Sequence, residues 1–168
     1  ITINSLEYLK SILKYNIKGL KVHIKANTGM NRLGISNVQE FKEVYEILKN
    51  ENIFVEGIFT HIYDAASESR YLKQIEIFKE MLDYVPESKN IPIIHMPASE
   101  ALEKYPKLDF VNGYRLGKIM YGFTTNKDMN LESTFKLCSE VIQINELKKG
   151  ETLGYNAHYT ADSDVKIA

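Results

Sequence analysis

The sequence alternates between short apolar stretches that suit β-strands and longer amphipathic segments that suit α-helices, and this alternation limits the possible folds more than any other feature. Strands are predicted at residues 20–26, 53–61 and 91–96, where apolar and β-branched residues predominate. Helices are predicted at residues 5–15, 38–49, 68–84 and 99–104, where apolar residues recur at helical spacing. The pattern predicts an α/β fold of parallel βαβ units, either a doubly wound sheet or a (β/α) barrel.

The pattern changes after Thr124. Residues 118–123 are predicted as a further strand, and an all-β segment is predicted from about Leu131, where strand-like runs and a "KKGE" turn replace the helical period. A closed eight-stranded barrel takes about 250 residues, so a barrel here would need more chain on its N-terminal side. We therefore expect residues 1–129 to be the C-terminal portion of a (β/α)8 TIM barrel and residues 130–168 to be the start of a C-terminal all-β domain.

Composition and charge argue against several classes of protein. Lys and Arg number 21 against 22 Asp and Glu, so the formal net charge of -1 gives no reason to expect a nucleic acid or an anionic membrane as partner. Cys138 is the only cysteine, which excludes an intrachain disulfide and a multi-thiolate metal site, and no metal site is predicted. No apolar run reaches the roughly 18 residues of a membrane span, and we expect a cytoplasmic protein.

Basic and imidazole side chains stand where the predicted strands end. Lys25 and Arg32 lie in "VHIKANTGMNRLG", His61 ends "GIFTH", and His95 lies near the end of "IPIIHM". Functional groups collect at the C-terminal ends of parallel strands, so these residues are candidates for a site. Lys25 and Arg32 could equally be a solvated strand end and a salt-bridge partner, and single histidines are more often packing residues. Two histidines at successive strand ends favour a shared rim.

Two further features indicate phosphate binding and contact with another surface. Ser99 opens the predicted helix 99–104, and Gly117 lies in the turn "RLGK", so a serine and free backbone N–H groups could together form a phosphate cradle. The alternative for Ser99 is an ordinary helix cap. Tyr155 follows Gly154, where the backbone can approach another surface closely, although most tyrosines are packing residues.

Together and in this order, these segments resemble the alanine racemase family over nearly the whole chain. The resemblance implies an isomerase that uses pyridoxal 5'-phosphate (PLP) to interconvert L- and D-alanine by proton transfer at both faces of Cα. It also implies a TIM barrel followed by a β domain, a small amino-acid substrate and a homodimer. The D-alanine product would serve the peptidoglycan of the cell wall.

The matching motifs imply a role for each candidate residue. "VHIKANTGMNRLG" resembles the segment with a lysine that can be carbamylated, here Lys25, and an arginine on the substrate side, here Arg32. "GIFTH" is similar to the strand that ends in the histidine beneath the cofactor ring, here His61. "LGYNAHYTA" is similar to the start of the β domain, which implies that Tyr155 is the catalytic tyrosine and serves the active site of the partner subunit.

The remaining motifs imply how the cofactor is held. "HMPASEAL" resembles the segment whose serine, here Ser99, binds the phosphate and whose histidine, here His95, supports an arginine. "YRLGKIMYG" looks like the segment in which that arginine, here Arg115, faces the pyridine nitrogen while the amides of Gly117 and Lys118 hold phosphate. An arginine donates to the ring nitrogen without readily protonating it, which disfavours side reactions of the cofactor.

The sequence departs from the family pattern at several points. The family's cofactor lysine lies in a "VKANAYG"-like run that does not occur here, so we expect these residues alone to be inactive. Asn27 stands where an aspartate is usual, and "MPAS" replaces the usual "ANS". Two alternatives remain open, namely a serine racemase of the vancomycin-resistance type and a non-catalytic PLP-binding module.

Overall fold

The computed structural model describes residues 1–17, 19–86 and 88–168, and it divides into two compact units, Ile1–Thr134 and Phe135–Ala168. The first unit is built on a five-stranded parallel sheet whose strands follow one another in chain order. Its strands are β1 Thr2–Ile3, β2 Lys21–Lys25, β3 Phe54–Phe59, β4 Ile93–Ala98 and β5 Gly113–Arg115. Its helices are α1 Leu6–Ile12, α2 Val38–Asn50, α3 Glu68–Asp83 and α4 Ser99–Lys104.

Three of the helices begin at a capping side chain. Ser5, Asn37 and Ser67 each accept a hydrogen bond from the backbone N–H three residues later, at the start of α1, α2 and α3. Such a cap satisfies a donor that the helix leaves without a partner and contributes about 1 kcal/mol. The start of the first helix near Ser5 is thereby confirmed, although α1 ends three residues before its predicted end at residue 15.

The hydrophobic core lies between the helices and one face of the sheet. Val22 and Ile24 of β2 are fully buried against this layer, as are Phe41 of α2 and Phe78 of α3. Burying a side chain of this size contributes roughly 1.5–3 kcal/mol, and truncating either phenylalanine to alanine would cost about 3–5 kcal/mol. The alternation along β2 then turns His23 and Lys25 toward the other face, away from the helices.

Two glycines make room for two histidines within the sheet. His23 on β2 pairs in register with Gly57 on β3, and His95 on β4 pairs with Gly113 on β5. A Cβ atom at Gly57 would lie 2.4 Å from the His23 ring, and one at Gly113 would lie 2.8 Å from Cβ of His95. The neighbouring strands therefore accept these imidazoles only because they carry no side chain at the facing positions.

The prediction of a strand at residues 118–123 is wrong. The chain forms a 3₁₀ turn at Lys118–Tyr121, in which the Met120 N–H donates to the Gly117 carbonyl, and Gly122 ends the turn in the left-handed region with φ 83°. The fifth strand of the sheet is instead the preceding segment, β5. A short apolar run does not by itself distinguish a strand from a helical turn.

The second unit contains short antiparallel strands. Asn145–Leu147 (β6) pairs with Val165–Ile167 (β9), and Thr152–Leu153 (β7) pairs with Tyr159–Thr160 (β8). The predicted β character is wrong for residues 131–144, which form no strand. Leu137 and Ile142 there are 94% and 97% exposed, so neither side chain packs into a core. None of the helices in the described residues has both the length and the apolar composition that a membrane crossing requires.

Candidate cofactor and substrate site

A cavity of about 640 Å³ opens at the carboxyl ends of β4 and β5, and we call it the rim cavity. Parallel strands place their carboxyl ends at the same edge, so side chains from separate parts of the chain meet there. The residues that line the rim cavity are His61, His95, Tyr114, Arg115, Leu116, Gly117 and Met120. Four residues that the sequence singled out are thus neighbours in space: His61, His95, Arg115 and Gly117.

Three neighbouring side chains contact the guanidinium of Arg115. Its Nε donates to Nδ1 of His61 at 3.2 Å, and its Nη1 lies 3.2 Å from Nδ1 of His95. The guanidinium carbon also lies 4.6 Å from the centre of the Phe59 ring, which stacks on the His95 ring at 4.5 Å. Cation–π contact and two hydrogen bonds fix both the position and the plane of Arg115.

The hydrogen bonds from Arg115 determine the tautomers of a chain of side chains. A guanidinium only donates, so Nδ1 of His95 accepts, and the ring proton of neutral His95 lies on Nε2. That Nε2 lies 3.2 Å from Nδ1 of His23, whose Nε2 lies 3.4 Å from a carboxylate oxygen of Glu56. Glu56 in turn pairs with Lys21 at 2.7 Å. This series of hydrogen-bonded side chains, from Arg115 to Glu56, crosses the face of the sheet that the helices leave uncovered.

Both histidines that touch Arg115 are neutral at neutral pH. Burial, then the charge of Arg115 and then His23 lower the pKa of His95 to about 4. Burial also lowers the pKa of His61, and the nearby charges of Arg115, Arg32 and Lys25 add to this effect. A neutral imidazole can accept the hydrogen bonds that Arg115 donates, whereas an imidazolium cannot.

Lys25 and Arg32 bring two more positive charges to the same rim. Lys25 ends β2 with a buried side chain, and its Nζ lies 6.0 Å from the centre of the Phe59 ring. Burial lowers the pKa of Lys25, and so do the charges of Arg32 and Arg115. The positive charges of Lys25, Arg32 and Arg115 repel one another, so this rim attracts an anion.

The turn that carries Arg32 is organised by Asn27. Its side-chain oxygen accepts from the backbone N–H groups of Gly29 at 3.2 Å and Asn31 at 2.9 Å, and its amide donates to Ser36 at 2.8 Å. Asn31 has a positive φ of 53°, which asparagine tolerates better than most residues. Asn27 therefore fixes the bend that leads from β2 to Arg32.

Ser99 lies on the same rim as Arg115, and it is not a helix cap. The cap of α4 is Ala98, which makes no capping hydrogen bond, and the buried Ser99 hydroxyl instead accepts from the backbone N–H of Gly117 at 3.0 Å. Lys118, the next residue, extends its ammonium group to Glu103 at 3.1 Å. Ser99, Gly117 and Lys118 are thus assembled next to the rim cavity.

Tyr155 belongs to the second compact unit. It is 97% exposed, and it follows Gly154, whose φ of 81° permits the sharp bend that presents the tyrosine.

Sequence reasoning missed four residues of the site: His23, Glu56, Phe59 and Glu103. Glu56 reaches His23 because it is the extra residue where the β2–β3 register shifts, and nothing in the sequence marks such a bulge. His23 and Phe59 could have been predicted from the sequence. Each is adjacent in its strand to a residue of the core, so its side chain faces the other side of the sheet.

The sequence profile of the family described as "Alanine racemase, N-terminal domain" matches residues 1–125. Alanine racemase 1 of Bacillus subtilis is 36% identical over 177 residues, which cover 99% of this chain and 45% of that protein. Alanine racemase of Staphylococcus epidermidis is 32% identical and is matched over 100% of this chain and 46% of its own length. The solved structure of alanine racemase from Clostridium difficile 630 has a TM-score of 0.75 at 31% identity, over 98% of this chain and 46% of that chain. This chain spans about half the length of the relatives it matches, and it belongs to the alanine racemase N-terminal domain family.

Proposed function

We propose that this chain is the PLP-binding part of an amino-acid racemase that interconverts L- and D-alanine. The observation that carries the proposal is the position of Arg115, which His61, His95 and Phe59 hold at the rim cavity beside the Ser99–Gly117 pair. The relatives above bear the name alanine racemase, which supports alanine as the substrate.

We infer that the parallel sheet is part of a (β/α)8 TIM barrel and that residues 130–168 begin the all-β domain. A doubly wound sheet reverses its strand order at a switch point, whereas β1 to β5 follow one another without reversal. The uncovered face with His23 and His95 corresponds to the interior of a barrel, where side chains fill the space in layers.

The rim residues fit PLP. The rim cavity of about 640 Å³ is within the range of small-molecule sites, and Arg32 and Arg115 bring positive charge to the same rim, which suits an anionic ligand. The Ser99 hydroxyl and the amides of Gly117 and Lys118 would hold the phosphate, which would take the place of the hydrogen bond from the Gly117 N–H to Ser99. His61 would hold the ring, and Arg115 would donate to its nitrogen.

When bound, PLP supplies an electron-accepting ring that stabilises negative charge at Cα of the substrate. Arg115 would donate a hydrogen bond to the ring nitrogen but keep its own proton, because a guanidinium remains charged at neutral pH. Nδ1 of His95 accepts a hydrogen bond from Arg115 and holds it in place, while Nε2 of His95 donates to His23. Arg115 thereby limits how strongly the ring withdraws electrons, which favours proton exchange at Cα over competing reactions.

Tyr155 is proposed as the acid and base on one face of Cα, in the active site of a second copy. Racemisation needs a proton donor and an acceptor on both faces of a planar carbon. The full exposure of the Tyr155 side chain agrees with a role outside its own unit and with a homodimer.

Lys25 and Arg32 are proposed to bind the substrate side of the site. Arg32 would receive the carboxylate of alanine through its guanidinium. The lowered pKa of Lys25 increases the share of neutral amine, which is the form that reacts with carbon dioxide to give a carbamate. Such a carbamate would turn a cation next to Arg32 into an anion and would hold that arginine in position.

The test is racemase activity of the intact gene product supplied with PLP. Conversion of L-alanine to D-alanine and the reverse are followed by chiral chromatography, with L-serine as the competing substrate. We expect alanine to react with the higher kcat/KM and an Arg115→Ala variant to lose most of the activity. Faster conversion of serine would favour the serine racemase, and PLP binding without conversion of either amino acid would favour a non-catalytic PLP-binding module. Failure of the protein to bind PLP would reject the proposal.

A further inference from the structure

Glu103 is a buried carboxylate that the chemistry above leaves without a role. Its side chain is 1% exposed, and Oε2 accepts hydrogen bonds from Nζ of Lys118 at 3.1 Å and from Oγ1 of Thr125 at 3.0 Å. Its other oxygen, Oε1, is buried and accepts no hydrogen bond from the described residues. A buried carboxylate is costly unless it is paired, so its presence here needs an explanation.

The partners of Glu103 all lie in the segment that carries Gly117 and Lys118. Besides Lys118 and Thr125, the side-chain amide of Asn126 donates to the Glu103 backbone carbonyl at 3.1 Å. Glu103 stands one helical turn after Ser99 on α4, and Ser99 holds the start of the same segment through Gly117. Residues of α4 therefore accept hydrogen bonds from both ends of residues 117–126.

The pairing also determines which part of Lys118 is available to an anion. Moving the ammonium of Lys118 away from Glu103 would leave a buried carboxylate without its counter-charge, which is strongly unfavourable. Burial is the largest single effect and raises the pKa of Glu103, but the hydrogen bonds from Lys118, Thr125 and Thr124 and the charge of Lys118 together lower it, so the carboxylate is charged at neutral pH. Lys118 can then offer an anion its backbone N–H rather than its side chain.

We propose that Glu103 is a positioning residue for phosphate recognition: by holding Lys118 and Thr125, it keeps the backbone N–H groups of Gly117 and Lys118 in the arrangement that receives the phosphate of the cofactor. The inference rests on the proposed PLP function. It predicts an effect that depends on the phosphate group, because Glu103 does not line the rim cavity where the ring would lie.

The test compares PLP with pyridoxal, which lacks the phosphate, by isothermal titration calorimetry on the intact protein. Glu103→Gln keeps the shape of the side chain but removes its charge, and we expect it to weaken PLP binding about tenfold while pyridoxal affinity stays unchanged. The matched control is Glu100→Gln, which removes an exposed carboxylate that pairs with Lys104 at 2.7 Å on the same helix. This control should bind both ligands as the wild type does.

Equal weakening of both ligands by Glu103→Gln, or no weakening of either, would overturn the inference. If circular dichroism shows that Glu103→Gln does not fold, Thr125→Val decides instead, since it removes one donor to the carboxylate and should lower PLP affinity alone. If the wild type binds PLP but Thr125→Val keeps the same preference over pyridoxal, Glu103 has no such role. If the wild type binds no PLP, the proposed function fails together with this inference.

Discussion

Nη1 of Arg115 lies 3.2 Å from Nδ1 of His95, and the hydrogen bond that it donates there determines which ring nitrogen of the histidine carries the proton. The two residues are linked electrostatically as well, because the charge of Arg115 adds to burial in lowering the pKa of His95 to about 4. His95 is therefore kept in the neutral form, whose Nδ1 can accept a hydrogen bond from Arg115. Its protonated Nε2 can then donate to Nδ1 of His23.

Replacing Arg115 with glutamine should raise the pKa of His61 and His95. Burial would still hold both values below the ordinary pKa of 6.5, but the contribution of the guanidinium charge would be gone. Nuclear magnetic resonance titration of the ring protons measures both values. Arg70→Gln is the control, because Arg70 pairs with Asp64 away from these rings. Unchanged values in the Arg115 variant would contradict the assigned contact.

The stability of the protein should fall as the pH drops from about 6.5 to about 4. The unfolded chain binds a proton at His95 throughout this window, whereas the folded protein does not, so protonation favours unfolding. Because the ring is partly exposed, we expect a loss of about 2 kcal/mol from this group. Urea denaturation at several pH values measures it, and His95→Gln should flatten this part of the profile. An equally steep profile in the variant would assign the effect to other groups.

Gly57→Ala should destabilise the protein and displace His23. The new Cβ would lie 2.4 Å from the His23 ring and 2.9 Å from the Ile93 carbonyl oxygen, and at least the ring must move. Overpacking of this kind costs about 1–3 kcal/mol, measured as a shift of the urea midpoint. Unchanged stability of Gly57→Ala would show that His23 does not occupy this space.

Asn27→Ala should loosen the turn that leads to Arg32. The change removes two acceptor contacts to backbone N–H groups and two donor contacts, to Asn31 and Ser36. We expect a loss of about 1–2 kcal/mol in the free energy of unfolding. Asn27→Asp retains the contacts to the backbone N–H groups and should lose less. If the aspartate variant is as unstable as the alanine variant, the donor contacts of Asn27 matter more than its acceptor contacts.

Much of the chain's secondary structure could be predicted from local patterns. The helix predicted at residues 38–49 is observed as α2, Val38–Asn50, and the strand predicted at 20–26 is observed as β2, Lys21–Lys25. Both have an unbroken period and clear ends, so local preference and tertiary packing agree. Residues 118–123 and 131–144 were mispredicted, because apolar runs form strands only where another strand completes their hydrogen bonds.

Periodicity and motifs of adjacent residues were enough to predict the parallel α/β architecture, the family, and the candidates Lys25, His61, His95, Ser99 and Arg115. The contacts between side chains could not be predicted in this way. Arg115 meets His61 across 54 positions of the chain, and His23 reaches Glu56 only where the strand register shifts. Such contacts depend on register, on the space left by Gly57 and on burial, and these are properties of strands packed side by side, not of any one segment.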